Sequence, residues 1–442
     1  MFRRRVIAAL ATLVTAATLV AYGTTSSSAS SGGKLTLWLS GDLTQATPGS
    51  PYRQWMNQLV NEFEHQNPGW KINFSLLTYD PAQETAKLVS AFGSNSAPDM
   101  MNLYTGQFTN LFAAELLPLN SFIAKTPGLY KSIPEGIWNV DCTPNYQCNG
   151  GKNTILGVPW NAGAYFMYYN KALLAKAGIS APPATYTQLF ADCKKLAAKH
   201  ITAFAMGAND GYDTSNYWTS NLVSTLQPGD IQRLLTGKLP YNAPALVSAL
   251  TPILQLTAPS SKCTSPNALG EGQVQGTMDF QAGKAAMTGF YSLSLVPFEK
   301  ALGSKLGVAR LPISGHGPLL HVGNGYAGVP WDGWVINKKS KNAAMAWKFI
   351  QLASNQAANQ SSVKLMGFSP ANSAVSKTLT DPLQKQAAAL GADPAIPELD
   401  QVMPNAYALD LYRELSLGQE QKQSAAQTLD ALETYVKSNP VP

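Results

Sequence analysis

The stretch from Lys34 to Thr105 constrains the fold most, because its hydrophobic period switches repeatedly between two and 3.6. In K-L-T-L-W-L-S, Leu35, Leu37 and Leu39 face one way and Thr36 and Trp38 the other, which reads as a strand. Gly41-Asp42 ends it. Ser50 then offers an N-cap and Pro51 a first-turn proline. Tyr52, Trp55, Met56, Leu59 and Phe63 follow at helical spacing, and N-P-G stops that helix. K-I-N-F-S-L-L reads as a second strand, Pro81 to Phe92 as a second helix, and P-D-M-M-N-L-Y from Pro98 as a third strand. Alternation of this kind predicts a parallel or mixed sheet covered by helices.

The same logic continues along the chain. An aromatic strand runs through Gly157–Asn170, Asn170 is placed to cap a short helix, and Gly178 ends that helix. Thr185 with Gln188 forms a capping box ahead of the stripe Tyr186, Leu189, Phe190, Cys193 and Leu196. D-T-S-N-Y-W-T-S, holding Tyr217 and Trp218, reads as a polar loop. M-D-F-Q-A-G-K-A-A-M-T-G-F-Y-S reads as helix, turn and strand, and V-A-R-L-P as a further strand. W-D-G-W-V-I-N-K-K-S-K-N-A-A-M-A-W-K-F-I reads as a strand, then a turn, then a helix capped by Ser340. From Leu379 the pattern is helical with proline-rich breaks.

The 442 residues allow two to three domains, and 45% hydrophobic content supplies large cores. Only 13% of residues are charged. The formal charge of +6 includes three leader arginines, so a basic stripe of the kind nucleic acid requires is absent. Four cysteines, an even number, suit disulfides in an oxidising compartment. Cys142 and Cys148 flank a short loop and close most easily. That leaves Cys193 with Cys263, unless Cys193 is a buried apolar residue on its helix. The histidines are scattered and no C-x-x-C occurs, so no metal or other cofactor is expected.

Arg3, Arg4 and Arg5 precede an apolar run from Val6 to Ala21, the layout of a secretory leader. Leu19-Val20-Ala21 matches the end of a lipoprotein signal, but Tyr22 stands where the lipid-bearing cysteine would be. A phenol cannot form that thioether. Export to the cell surface or periplasm is therefore expected while lipid anchoring is not, and Ala21-Tyr22-Gly23 would serve as an ordinary cleavage site. Membrane contact would run only through the leader or an anchor. Residues 24–33 read as a flexible tether.

Five blocks, in order, resemble the sugar-binding group of extracellular solute-binding proteins that serve ATP-driven (ABC) importers. They are P-D-M-M at Pro98, G-V-P-W through Gly178, F-Q-A-G-K-A-A-M-T-G-F at Phe280, V-A-R-L-P at Val308, and S-K-N-A-A-M-A-W-K-F-I at Ser340. The resemblance implies a type II periplasmic-binding-protein-like fold of α/β class. Two lobes, each a mixed sheet flanked by helices, would be joined by hinge strands. The first lobe is expected at 34–155 and 308–355, the second at 156–307 and 356–442. Ligand would lie between closing lobes, and a monomer would deliver it to permease subunits.

A sugar presents hydroxyl edges and apolar faces, so its site needs aromatic plates and oriented polar groups, placed where strands end. The candidates are Trp38, Ser40 and Asp42 after the first strand, and Tyr104 and Thr105 after the third. Trp160, Asn161 and Tyr165 lie on the aromatic segment, Trp218 in the polar loop, and Tyr291 after A-A-M-T-G. Trp331 and Asp332 follow a glycine-rich loop, and Arg413 lies in L-Y-R-E-L. Trp38 reads equally as core, Asp42 and Asp332 as turn residues, and Arg413 as a surface partner of Glu414 or Asp410. Many aromatics and few charges favour a neutral mono- or oligosaccharide. A glycerol phosphodiester or a polyol is the second reading. A secreted glycosidase is the reading from another class, but it needs two facing carboxylates, and no acidic pair stands out beside the aromatic loops.

Overall fold

The computed structural model describes residues 32–40, 49–77, 81–144, 146–315, 332–367, 369–390 and 397–440. The leader with Tyr22, and the candidates Asp42 and Trp331, lie outside these residues. Two sheets organise the chain, each flanked by helices, as the alternating pattern predicts.

The first sheet is built from β1 (Gly33–Leu39), β2 (Trp70–Leu76), β3 (Met100–Tyr104), the short β4 (Val158–Pro159) and β9 (Asp332–Ile336). Their spatial order is β2-β1-β3-β9-β4. β1 pairs parallel to β2 and β3, while β9 runs antiparallel to β3 and β4. Leu35, Leu37 and Leu39 are fully buried, against α1 (Pro51–Gln66) and its row of Tyr52, Trp55, Met56, Leu59 and Phe63. The Ser50 side chain accepts from Arg53 N, so the expected cap and first-turn proline set where α1 begins. α2 spans Pro81–Gly93.

The second sheet has the order β8-β5-β7-β6. β5 is Tyr165–Asn170, β6 Thr202–Ala205, β7 Ala285–Tyr291 and β8 Leu306–Ala309. Asn170 caps α3 (Lys171–Lys176), and the Thr185–Gln188 capping box opens α4 (Tyr186–Ala197). Cys193 on α4 is disulfide-bonded to Cys263, and Cys142 to Cys148. Both expected bridges are therefore present.

Three local expectations are corrected. D-T-S-N-Y-W-T-S is not a loop but most of α5 (Tyr212–Leu222), in which every residue from Asp213 to Leu222 is buried. Its polar residues bond inward: Asn221 Nδ2 donates to Ala249 O on α6 (Pro244–Leu254), and Ser220 Oγ to Asn216 O. Periodicity failed there because polar and apolar sides are buried alike. V-A-R-L-P does not open the return to the first sheet, because Val308 and Ala309 pair with Tyr168 and Met167 on the edge of the second. Ser340 does not cap α7 (Ala343–Ala353): the N-cap is Asn342, with no side-chain cap bond. Ser340 Oγ instead donates to Asp99 Oδ1, whose other oxygen accepts from Thr36, tying the start of β3 to β1.

The chain passes from β4 to β5 through residues 160–164. A later segment runs alongside, with Ala162 N donating to Ser369 O at 2.7 Å and Asn161 bridging to Pro370. α8 (Gln356–Met366) packs on α1, where Trp55 Nε1 donates to Ala358 O. The short α9 (Leu399–Val402) leads into α10 (Asn405–Gln419) and α11 (Ala425–Ser438).

Candidate functional site

The two sheets point the ends of β3 and β7 toward a common place, and α9 and α10 close it. Tyr104 ends β3, opposite Asp332 in the β3–β9 register. Tyr291 ends β7, paired with Tyr165 at the start of β5. Gly211, at φ +70°, turns the chain into α5 and projects Tyr212 and Asp213 from its first turn. A Cβ on Gly211 would sit 2.2 Å from Tyr412 O, and one on Gly106 2.3 Å from Gln401 O. These two glycines let α9 and α10 press close against both sheets' loops.

The resulting side chains form one hydrogen-bonded chain across the sheets. Asn216 Nδ2 donates to the Tyr291 hydroxyl at 3.1 Å, and Tyr291 to Tyr212 at 2.8 Å. Tyr212 donates to Tyr104 at 3.3 Å. Tyr104 lies 2.9 Å from Asp400 Oδ2 and 3.1 Å from Glu398 Oε2, and Tyr412 donates to Asp400 Oδ2 at 2.7 Å. The rings meet at edges and tilts: Tyr165 and Tyr291 at 4.6 Å, Tyr212 and Tyr412 at 5.6 Å. On the second-sheet side the Tyr165 hydroxyl donates to Asp213 Oδ1, and Gln273 Nε2 to that hydroxyl at 3.4 Å.

Burial sets the protonation here. It pushes Glu398 well above the usual carboxylate range, and the neighbouring Asp400 adds to this. Asp400 is also raised by burial, offset by the Tyr412 and Tyr104 hydroxyls. Asp213 is raised by burial and then by Asp210. The leading influences on all three are burial, carboxylates and neutral donors, with no lysine or arginine among them. At the end of β1, Ser40 Oγ donates to Glu84 Oε2 on α2 at 3.2 Å, and burial pushes Glu84 up to about 7.

The remaining candidates divide. Tyr104, Tyr165 and Tyr291 are in this cluster; Asp332, buried, lies at its edge beside Tyr104, and Thr105 is buried just beyond. Trp160 lies outside this cluster: it is wholly buried and stacks on Trp55 at 4.4 Å, with the Trp334 ring 6.4 Å from Trp55. Asn102, with its amide turned to suit its neighbours, accepts from Trp160 Nε1 at 2.9 Å and donates to Asp332 Oδ2 at 3.0 Å. Trp218 is likewise core, its Nε1 donating to Leu246 O. Asn161 is buried on the crossing segment. Trp38 lies half-buried under the Lys87 ammonium, 4.9 Å above its ring. Arg413 turns outward: it pairs with Asp410 and, at 2.8 Å, with Glu414, with 64% of its side chain exposed. Its neighbour Tyr412 is the inward residue.

Sequence reasoning passed over Tyr212, Asp213, Asn216, Gln273, Glu398, Asp400 and Tyr412. The acidic pair in P-E-L-D was visible, but nothing local joins it to Tyr104. Among the described residues, no group of three or more histidine, cysteine or acidic side chains could hold a metal ion, and no helix is long and apolar enough to cross a membrane.

Known proteins agree with this architecture. The solved structure of a chitin oligosaccharide binding protein superposes with a TM-score of 0.78, at 20% identity, over 92% of this chain and 98% of that one. The multiple sugar-binding protein of Streptococcus mutans is 24% identical over 348 residues, 74% of each chain. The sn-glycerol-3-phosphate-binding periplasmic protein of Yersinia pestis is 24% identical over 165 residues, and that match spans only 37% of either chain. The profile described as bacterial extracellular solute-binding protein matches residues 58–409, most of the sequence. The chain, a two-lobed α/β protein, belongs to the bacterial extracellular solute-binding protein family.

Proposed function

We propose that the protein is exported, captures a sugar or oligosaccharide between its two lobes, and hands it unchanged to the permease of an ATP-driven importer. The observation that carries this reading is the tyrosine–carboxylate chain joining the ends of β3 and β7. Hydroxyl and carboxylate oxygens at fixed spacing match the polar edge of a sugar, and tyrosine rings match its apolar faces. A site that draws on both lobes buries ligand from both sides on closure, so the loaded form differs from the empty one in shape. The sugar-binding names of similar proteins point the same way.

The phosphodiester reading has support in the Yersinia relative. Phosphate calls for cations or a helix N-terminus. Among the described residues the cluster offers the carboxyls Glu398, Asp400 and Asp213 and no lysine or arginine that could neutralise a phosphate. A hydrolytic role calls for two carboxyls on opposite sides of the bond to be cleaved, whereas Glu398 and Asp400 meet on one Tyr104 hydroxyl.

The test is a thermal-shift screen of the mature chain against mono-, di- and oligosaccharides, polyols and glycerol phosphodiesters. Sugar-selective stabilisation with the sugar recovered intact is the expected result. Stabilisation by the phosphodiesters alone, or cleavage of a sugar, overturns the reading.

A further inference from the structure

The tyrosine–carboxylate cluster has an uneven inventory of donors and acceptors. Tyr104 has one hydroxyl proton but two carboxyl neighbours, Asp400 at 2.9 Å and Glu398 at 3.1 Å. Asp400 Oδ2 already accepts from Tyr412. One hydroxyl proton divided between two carboxyls serves each only in part, and a proton held by one carboxyl satisfies both contacts. Two adjacent buried carboxyls that face no cation among the described residues favour holding one proton between them. Asp400 Oδ1 is enclosed and accepts nothing. Independently of the acids, the Asn216 side chain is fully buried with its amide against Tyr291, and its Oδ1 also accepts nothing. Among the described residues, what the cluster lacks is a positive charge.

Among the described residues, the side chains facing the pair are uncharged donors, beside the backbone N–H groups of Asp400 and Gln401. These side chains are Tyr104 from β3, Tyr212 from the first turn of α5, and Tyr412 from α10. Asp213, on α5, is turned to Tyr165. Asp410, Arg413 and Glu414 pair with one another one face further round α10. The short helix Gln107–Leu111, packed against α9, carries no titratable side chain. Four tyrosine rings, those of Tyr104, Tyr212, Tyr291 and Tyr412, stand beside two carboxyls. Aromatic faces and carboxylates together are the chemistry that holds an ammonium group.

We infer that the site selects a sugar bearing a protonated amine, which takes the place of the proton shared by Glu398 and Asp400. The inference rests on the sugar-binding reading and replaces its strictly neutral ligand with an aminosugar. Its N–H donors meet the idle Asp400 Oδ1 and the carboxyl oxygens beside it, and the displaced proton leaves to solvent. An N-acetylated or hydroxylated counterpart supplies donors but no charge.

The experiment titrates the intact mature protein with three β-1,4 disaccharides that differ only at C2: glucosamine, N-acetylglucosamine and glucose. Calorimetry at mildly acidic pH, in two buffers of different ionisation enthalpy, reads affinity and proton release together. The amine disaccharide is expected to bind at least about tenfold tighter than either neutral one, with release of close to one proton per ligand. In Glu398→Gln that preference falls about tenfold and the released proton disappears, and Asp400→Asn serves as the second variant if the first fails to fold. Neutral disaccharides binding as tightly as the amine overturn the inference while leaving the sugar-binding reading intact. Tighter amine binding without proton release also overturns it. If none of the three binds while a glycerol phosphodiester does, both fail.

Discussion

Two aromatic clusters stand at the junction of the two sheets, and they behave differently. Trp55, Trp160 and Trp334 form a knot of wholly buried indoles beneath α1, held by stacking and by bonds from Trp55 to Ala358 and Trp160 to Asn102. Tyr104, Tyr212, Tyr291 and Tyr412 are bound hydroxyl to hydroxyl and end on carboxyls. The first cluster is held by ring packing, with Trp334 Nε1 buried and without a hydrogen-bond partner. The second has acceptors left over. Large aromatics beside glycine and proline drew attention to the tryptophans, yet the tyrosines carry the polarity that a ligand can use. Ring size marks where packing is dense, and hydroxyls that meet carboxyls mark where a polar ligand can bond.

The comparison can be broken by substitution. Trp160→Ala is expected to cost the most, about 3–5 kcal/mol of stability by urea unfolding, because it opens a cavity inside a packed core. A loss below about 1 kcal/mol means that the indole is not core.

Glu84 tests the polar end of the first sheet. Its folded value of about 7 lies above the unfolded 4.5. The folded state thus holds the proton more tightly, so this contribution is present below about pH 4.5 and is lost as pH rises through 7. The total is at most about 3 kcal/mol. Glu84→Gln is expected to flatten the stability–pH curve over that window and to be the more stable form at pH 8. Parallel curves for the two proteins contradict this.

Tyr412→Phe removes one donor from Asp400. It is expected to lower stability by about 1–2 kcal/mol and to weaken sugar affinity about tenfold, the size of a hydrogen bond to a charged group. An unchanged affinity in titration calorimetry separates Tyr412 from the ligand. Arg413→Ala, one residue on, is expected to do least. Its pairs are at the surface, so stability changes by under about 1 kcal/mol and affinity stays as in the wild type.

Much of the architecture was legible because it is local. The Ser50 cap, the Asn170 cap and the Thr185–Gln188 box all depend on residues within three positions of one another, and all form. The Leu35–Leu39 alternation decides β1 in the same way. α5 was missed because burial on every side erases the polar–apolar contrast that periodicity reads. The candidate cluster was legible only at strand ends, where topology alone nominates Tyr104, Tyr165 and Tyr291. Its other half was not, because Glu398 and Asp400 lie 294 and 296 residues from the hydroxyl they meet. Arg413 and Tyr412 show how narrow the margin is, since one step along a helix turns a side chain by about 100°. That step separates a residue bonded into the tyrosine–carboxylate cluster from a surface ion pair.

The most direct measurement titrates the sugar picked out by the thermal-shift screen into three proteins: wild type, Tyr104→Phe and Trp160→Phe. The account predicts that Tyr104→Phe binds at least about tenfold more weakly while Trp160→Phe stays within about twofold of wild type. Equal binding by wild type and Tyr104→Phe, with affinity lost in Trp160→Phe, would place the ligand on the tryptophans and contradict it.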